Sequence, residues 1–274
     1  MDQENVLTTT FDTLKINDNL LRGIYSYGFE NPSKIQNEAV PLIIEGKDLI
    51  AQAQSGTGKT GAFLIGTLEK IDASKKETQI LILAPTHELV HQIYEVASEL
   101  SKYLNISIME VVGGTSVHEC REGLDKQPHL IIGSPGRVLD MIQKNFLYTD
   151  NIKTLIFDEA DETLSIGFKE TVYNIVKSVS KTCQICLFSA TVPEELLELS
   201  NSFMNNPQKI LVDKEALTLE GITQFYINIR ISDWKYDVLT DIYNTLNIAQ
   251  CIIYINSKNR LNQIYQELNK DNFP

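Results

Sequence analysis

Long apolar runs are missing from this 274-residue sequence. No stretch approaches the ~20 consecutive apolar residues that would span a bilayer. Cysteine is scarce: the four are Cys120, Cys183, Cys186 and Cys251. Only Cys183 and Cys186 have metal-ligand spacing, in Thr-Cys-Gln-Ile-Cys-Leu-Phe. In a buried strand, residues three apart point to opposite faces, and no second Cys or His pair completes a site. They therefore read as free core thiols in a reducing compartment. Basic residues are also in deficit, 24 Lys and Arg against 36 Asp and Glu, a net charge of -12. That argues against a broad basic face for nucleic acid. Any such partner has to be held by a few placed cations and by backbone N–H groups at helix N-termini. The opening Met1-Asp2-Gln3-Glu4 lacks a basic segment followed by an apolar one, which reads against a secretory signal. The expectation is a soluble intracellular protein.

What is present is ordinary globular material, 43% apolar and 22% charged. Apolar runs alternate with amphipathic stretches. The runs are Asp48-Leu49-Ile50-Ala51, Gln79 to Leu83, Ile106 to Val112, Leu130-Ile131-Ile132, Thr154 to Phe157 and Ile185 to Phe188. Helical patterns follow several of them, at Glu88 to Tyr103, Phe168 to Val179 and Glu194 to Met204. β-branched runs without polar alternation suit strands buried on both faces, and βα alternation implies an α/β fold with a doubly wound parallel sheet.

Near Asp213 to Glu220 the pattern lapses into a charged stretch. A new unit follows, with strand patterns at Gln224 to Ile229 and Cys251 to Ile255 and helical patterns at Asp233 to Leu246 and Lys258 to Lys270. The expected division is a first domain over 1–212, a linker over 213–221 and the start of a second domain over 222–274.

The strongest local signal is Ala53-Gln54-Ser55-Gly56-Thr57-Gly58-Lys59-Thr60, between the strand Leu49 to Gln52 and the helical stretch Lys59 to Ile71. Gly56 and Gly58 let the backbone curl until its N–H groups surround phosphate oxygens. Lys59 can reach the β- and γ-phosphates of a nucleotide, and the Thr60 hydroxyl can ligate Mg²⁺. The general pattern begins with Gly, where this chain has Ala53. About a hundred residues on, Asp158-Glu159-Ala160-Asp161 follows the strand Thr154 to Phe157. Carboxylates at the carboxyl end of a parallel strand sit where such sheets bind ligands. Asp158 can hold Mg²⁺ through water, and Glu159 can position the attacking water. As a bare tetrapeptide the same residues could be a solvated helix start.

Together with Ser189-Ala190-Thr191, these elements resemble the DEAD-box family of ATP-dependent RNA helicases. The resemblance implies a RecA-like ATP-binding domain followed by an incomplete second one, with ATP and Mg²⁺ as cofactors. It also implies that Ser189, Ala190, Thr191 and Asp161 couple the ATP site to an RNA site. Upstream, Gly28-Phe29-Glu30-Asn31-Pro32-Ser33-Lys34-Ile35-Gln36 matches the family's adenine-recognition segment, with Phe11 at the usual distance before it. The chemistry fits: the Gln36 amide can read an adenine N6 and N7 edge, and Phe29 offers a flat face to the base.

Pro85-Thr86-His87-Glu88-Leu89, Gly113-Gly114 and Ser134-Pro135-Gly136-Arg137 resemble the family's RNA-facing motifs, and Asn256-Ser257 the first such motif of the second domain. The RNA contacts implied are Pro85, Thr86, Gly113, Gly114, Ser134, Pro135, Gly136, Arg137, Asn256 and Ser257. They would grip a backbone without reading sequence. His87 stands where the family has Arg, losing a permanent charge, so a weaker RNA grip is expected. Segments such as Gln224-Phe225-Tyr226-Ile227-Asn228 resemble the branch of the family that serves translation initiation and exon junctions. The partners implied are single-stranded or short-duplex RNA and translation-initiation scaffold proteins, and the location cytoplasmic or nuclear.

In that family a second domain supplies arginines that stabilise transferring phosphoryl groups, and such a finger can be worth ~10³–10⁵ in rate. Those motifs are not among these residues, so weak nucleotide binding and slow hydrolysis are expected of this polypeptide. Two other readings stay open: a non-catalytic module binding RNA or initiation-factor partners, and an unrelated phosphate-loop ATPase such as a DNA translocase.

Overall fold

The computed structural model describes residues 10–164, 169–211, 223–271 and 273. It divides into two compact units, Met1–Leu217 and Thr218–Pro274. The expected linker, 213–221, lies outside the described residues.

The first unit is built on seven strands: β1 (Leu49–Gln52), β2 (Ile80–Leu83), β3 (Ile108–Val111), β4 (Leu130–Gly133), β5 (Thr154–Phe157), β6 (Gln184–Ser189) and β7 (Gln208–Ile210). Their order is β3-β4-β2-β5-β6-β1-β7, and every pairing is parallel. β1, β2, β4, β5 and β6 are buried along their whole length, as a sheet covered on both faces requires.

Side-chain alternation sorts these strands into two cores. Leu49, Ala51, Ile80, Ile82, Leu130, Ile132, Ile156, Cys186 and Phe188 pack on one face. Ile50, Leu81, Leu83, Ile131, Leu155, Phe157, Ile185 and Leu187 pack on the other. The first core is closed by α1 (Asp18–Tyr27), α2 (Lys34–Ile44), α3 (Lys59–Leu68) and α4 (His87–Leu100). The second is closed by α5 (Val117–Leu124), α6 (Pro135–Gln143), the short α7 (Ala160–Thr163), α8 (Lys169–Ser178) and α9 (Glu194–Ser200). Cys183 joins the second core and Cys186 the first, both buried and free, so the paired spacing puts the thiols on opposite faces.

β7 has no counterpart in the sequence reading, because Gln-Lys-Ile is too polar and short to announce a strand. Pairing with β1 creates it. Asp48 fixes the junction, accepting from the Ile185 N–H at 2.8 Å and the Asn205 N–H at 2.6 Å.

The second unit holds a 3-10 turn (Ser232–Trp234), α10 (Lys235–Thr245) and α11 (Lys258–Lys270). The strands expected at 224–229 and 251–255 are corrected here: among the described residues of this unit there is no strand. A strand needs a neighbour for its N–H and C=O groups, and neither run finds one.

Candidate active site at the carboxyl edge of the sheet

The phosphate-loop candidate runs from the end of β1 into α3. It is tied to β6, with the Ala53 N–H donating to the Ser189 carbonyl at 3.0 Å and Gln52 Nε2 to the Ala190 carbonyl at 3.2 Å. Within the loop, Thr57 Oγ1 donates to the Gln54 carbonyl at 2.6 Å. Gly58 caps α3 at a φ of 99°, a conformation open to glycine at no steric cost. Ser55 and Gly56 are exposed, and Thr60 sits half-buried in the first turn of α3. Lys59 is only 6% exposed and its Nζ lies 3.2 Å from Glu159 Oε1.

β5 delivers the carboxylates. Asp158 is 4% exposed, and burial, reinforced by the neighbouring Glu159 charge, pushes its pKa up to about 6 despite Lys59. Its Oδ1 accepts from the Glu159 N–H at 3.0 Å, and its carbonyl from Thr163 Oγ1 at 2.7 Å. Glu159 adopts a φ of 44° as the N-cap of α7, a left-handed conformation that costs an L-residue about 1–2 kcal/mol. That conformation accompanies the pairing of its carboxylate with Lys59. A buried carboxylate with so few protein donors is chemically suited to a divalent cation, and Thr60 offers a hydroxyl on the loop side.

β6 explains the third element. Because it lies between β5 and β1, its exit at Ser189-Ala190-Thr191 stands between the phosphate loop and the carboxylates. Thr191 Oγ1 donates to Asp161 Oδ2. Burial raises the Asp161 pKa, but hydrogen bonds from Thr191 and Ser189 outweigh it and hold the group below its ordinary value.

Gln36 is 4% exposed and is already engaged. Its Oε1 accepts from the Ser33 N–H at 2.9 Å, and its Nε2 donates to the Gly58 carbonyl at 3.2 Å. The amide therefore clamps the phosphate loop, keeping one donor and one lone pair for a ligand. Phe29 packs edge-on against Tyr27 at 4.9 Å and parallel to Phe11 at 6.2 Å. Phe11 is fully buried, so it backs Phe29 and cannot itself meet a base. Tyr27, Phe29, Ser55, Lys59, Asp158 and Glu159 line a cleft of about 920 Å³ that also runs along α4. Sequence reasoning missed Tyr27 and Gly61. A Cβ on Gly61 would lie 2.6 Å from Gln36 Nε2 and 3.0 Å from the Phe29 ring. A glycine one turn into a helix, three residues past another, was the available signal.

The RNA-facing candidates of this unit gather on the other half of the same edge, at the exits of β2, β4 and β3. Thr86 caps α4 by accepting from the Leu89 N–H at 3.2 Å, with Pro85 just before it. The Ser134 N–H donates to the Val111 carbonyl at 3.0 Å, leading into Pro135 and Gly136. Both terminal nitrogens of Arg137 donate to the Thr115 carbonyl at 3.1 Å, tying α6 to the loop that carries Gly113 and Gly114. His87 lies over that loop, its Nε2 3.3 Å from where a Gly113 Cβ would stand. In the second unit Asn256 and Ser257 are exposed, and Ser257 caps α11 by accepting from the Arg260 N–H at 3.2 Å.

Residues 33–199 match the family model described as DEAD/DEAH box helicase. The chain is 47% identical over 264 residues to the ATP-dependent RNA helicase eIF4A of Debaryomyces hansenii, covering 96% of this chain and 66% of that protein. It is 46% identical to eukaryotic initiation factor 4A of Caenorhabditis elegans over the same shares. It thus spans just under two thirds of the length of these curated relatives. Among solved structures, Saccharomyces cerevisiae Dbp5 bound to RNA and ADP BeF3 is similar with a TM-score of 0.83 at 30% identity, covering 97% of this chain and 68% of that one. A DEAD box protein from Methanococcus jannaschii follows at 0.72 and 30%, covering 96% and 71%.

Proposed function

Because the chain belongs to the DEAD/DEAH box helicase family, we propose that it is an RNA-dependent ATPase of the initiation-factor-4A type that opens short RNA duplexes. Residues 1–212 form the ATP-binding domain in this reading, and residues 222–274 open a second domain. The observation that carries it is the placement of Lys59, Asp158, Glu159 and Thr191 on three neighbouring strand exits, with the RNA-facing set on the same edge.

The charges suggest a sequence of events. Without nucleotide, Lys59 and Glu159 neutralise each other at 3.2 Å. A terminal phosphate competes for Lys59, since a dianion outweighs one carboxylate. Glu159 is then released to orient a water for attack on that phosphate. Asp158 and Thr60 would hold Mg²⁺, which when bound neutralises phosphate charge and favours the ionised form of Asp158. Gln36 reads the base and holds Gly58, so base recognition and loop shape share one side chain. The Asp161–Thr191 bond relays changes at the carboxylates to the exit of β6. RNA is gripped by backbone N–H groups at the starts of α4 and α6, with Arg137 anchoring the Gly113–Gly114 loop.

Lys59 is the one cation among the described residues lining the cleft. Stabilising the transferring phosphoryl group calls for more positive charge, so this 274-residue polypeptide should turn over slowly. ATP hydrolysis is measured with and without single-stranded RNA, for this chain and for one extended with a relative's remaining sequence, each with and without Lys59→Ala. RNA-stimulated turnover in the extended protein that Lys59→Ala abolishes is the expected result. Binding of RNA and nucleotide with no turnover in either overturns the enzymatic reading in favour of a binding module.

A further inference from the structure

The aromatic side of the cleft is assembled where α1 ends. Gly28 stops that helix at a φ of 101°. Its N–H donates to the Tyr25 carbonyl at 3.1 Å, and the Phe29 N–H donates to the Ile24 carbonyl at 3.2 Å. This pair of bonds is a Schellman turn, which fixes the backbone on both sides of its glycine. Tyr27 and Phe29 flank that glycine, and their rings meet at 4.9 Å with an interplanar angle of 82°. Both line the cleft that also holds Lys59 and Asp158.

A base stacks on Phe29 only if the plane of that ring is held, and a phenyl ring turns about its last torsion in a broad well. Phe11 lies parallel to it at 6.2 Å. On α3, Gly61 stands where a Cβ would lie 3.0 Å from the ring, so the helix comes close but offers no side chain to clamp it. The edge-on ring of Tyr27 supplies the missing restraint, since the positive edge of one aromatic ring is attracted to the negative face of another. Tyr27 is 40% exposed, and among the described residues its ring pairs with Phe29 alone. Tyr25, at 41%, is instead tied to Asp12 through its hydroxyl and packs on Phe11.

We propose that Tyr27 is a positioning residue for the nucleotide base: its perpendicular ring holds the plane of Phe29, on which the base stacks while Gln36 reads its edge. The inference rests on the ATP-binding reading above. Tyr27 acts through Phe29 and leaves the phosphates to Lys59 and the loop, so its effect requires a base on the ligand. The ring matters and the hydroxyl does not.

The test is a calorimetric titration of the full chain with ATP and with inorganic tripolyphosphate, which has no base, for the unmodified protein, Tyr27→Ala and Tyr27→Phe. Tyr27→Ala should weaken ATP binding roughly 3–10-fold, the worth of one aromatic pair, and leave tripolyphosphate binding unchanged. Tyr27→Phe should stay within about twofold of the unmodified chain for both ligands. A general loss of structure would weaken both ligands together, and that outcome overturns the proposal. So does ATP binding that survives Tyr27→Ala, or a Tyr27→Phe variant as weak as Tyr27→Ala. If the unmodified chain binds ATP no better than tripolyphosphate, the base site itself is refuted and the role of Tyr27 falls with it. If that preference is present and Tyr27→Ala keeps it, the role of Tyr27 falls alone.

Discussion

The two units of the chain carry strand-forming sequence of similar quality and make different things of it. Leu49-Ile50-Ala51-Gln52 is buried throughout, with hydrogen-bonded neighbours on both sides. Cys251-Ile252-Ile253-Tyr254-Ile255 forms no strand, and Ile252 and Tyr254 are 77% and 88% exposed. Helices do not show this contrast: α11 spans Lys258–Lys270, the stretch read from sequence. A helix satisfies its backbone within itself, whereas a strand is a relation between segments. No described residue of the second unit is buried, so its apolar side chains lend little stability from within.

The contrast is broken or sharpened first by hydrogen exchange. Amides of β1, β2 and β5 should exchange only through global opening, slowed by roughly 10⁴-fold or more, while those of 223–229 and 251–255 should exchange within about tenfold of a free chain. Comparable protection in both would mean that the second unit has a core of its own. Next come two identical truncations. Phe188→Ala removes a fully buried ring packed on Phe63 at 5.3 Å and should cost about 3–5 kcal/mol in denaturant unfolding. Phe225→Ala, at a position 89% exposed, should stay within about 0.5 kcal/mol.

A third test concerns the charge that the first unit buries. The folded pKa of Asp158 is raised from 3.8 to about 6, so the folded state binds more protons in that interval. Its contribution to stability is full below about pH 4 and is lost as pH rises through about 6. Asp158→Asn should therefore stabilise the nucleotide-free protein by about 1–3 kcal/mol at pH 7 and by nothing near pH 4. Melting curves at the two pH values decide it, and an equal gain at both would remove burial of the charge as the cause. The smallest effect is expected of His87→Arg. It should tighten single-stranded RNA binding by roughly 3–10-fold and steepen the salt dependence by about 0.7. Unchanged affinity at every salt concentration would deny His87 a place on the RNA face.

The parallel sheet and the pole of its chemistry were legible because apolar runs and glycine-rich turns are local signals. Strand order was not. That β6 lies between β1 and β5 rests on pairings more than a hundred positions apart for β1 and about thirty for β5, and it decides which residues become neighbours. Gln36 illustrates the same limit. Its amide chemistry was readable, but its bond to Gly58 spans 22 positions and depends on Gly61 leaving room. The left-handed turn at Glu159 left no mark either, since glutamate does not advertise that conformation. Gln208–Ile210 was missed for want of apolar character, and the strands at 224–229 and 251–255 were read for want of any sign that partners were lacking.

The Asp161–Thr191 hydrogen bond joins the carboxylate end of β5 to the exit of β6. If nucleotide weakens or strengthens that bond, then whatever binds at Thr191 must alter nucleotide affinity by the same factor, because the two routes round the cycle close on the same state. A tenfold effect in one direction, about 1.4 kcal/mol, fixes a tenfold effect in the other. A single hydroxyl on a threonine would then set an exchange rate that neither ligand can change alone.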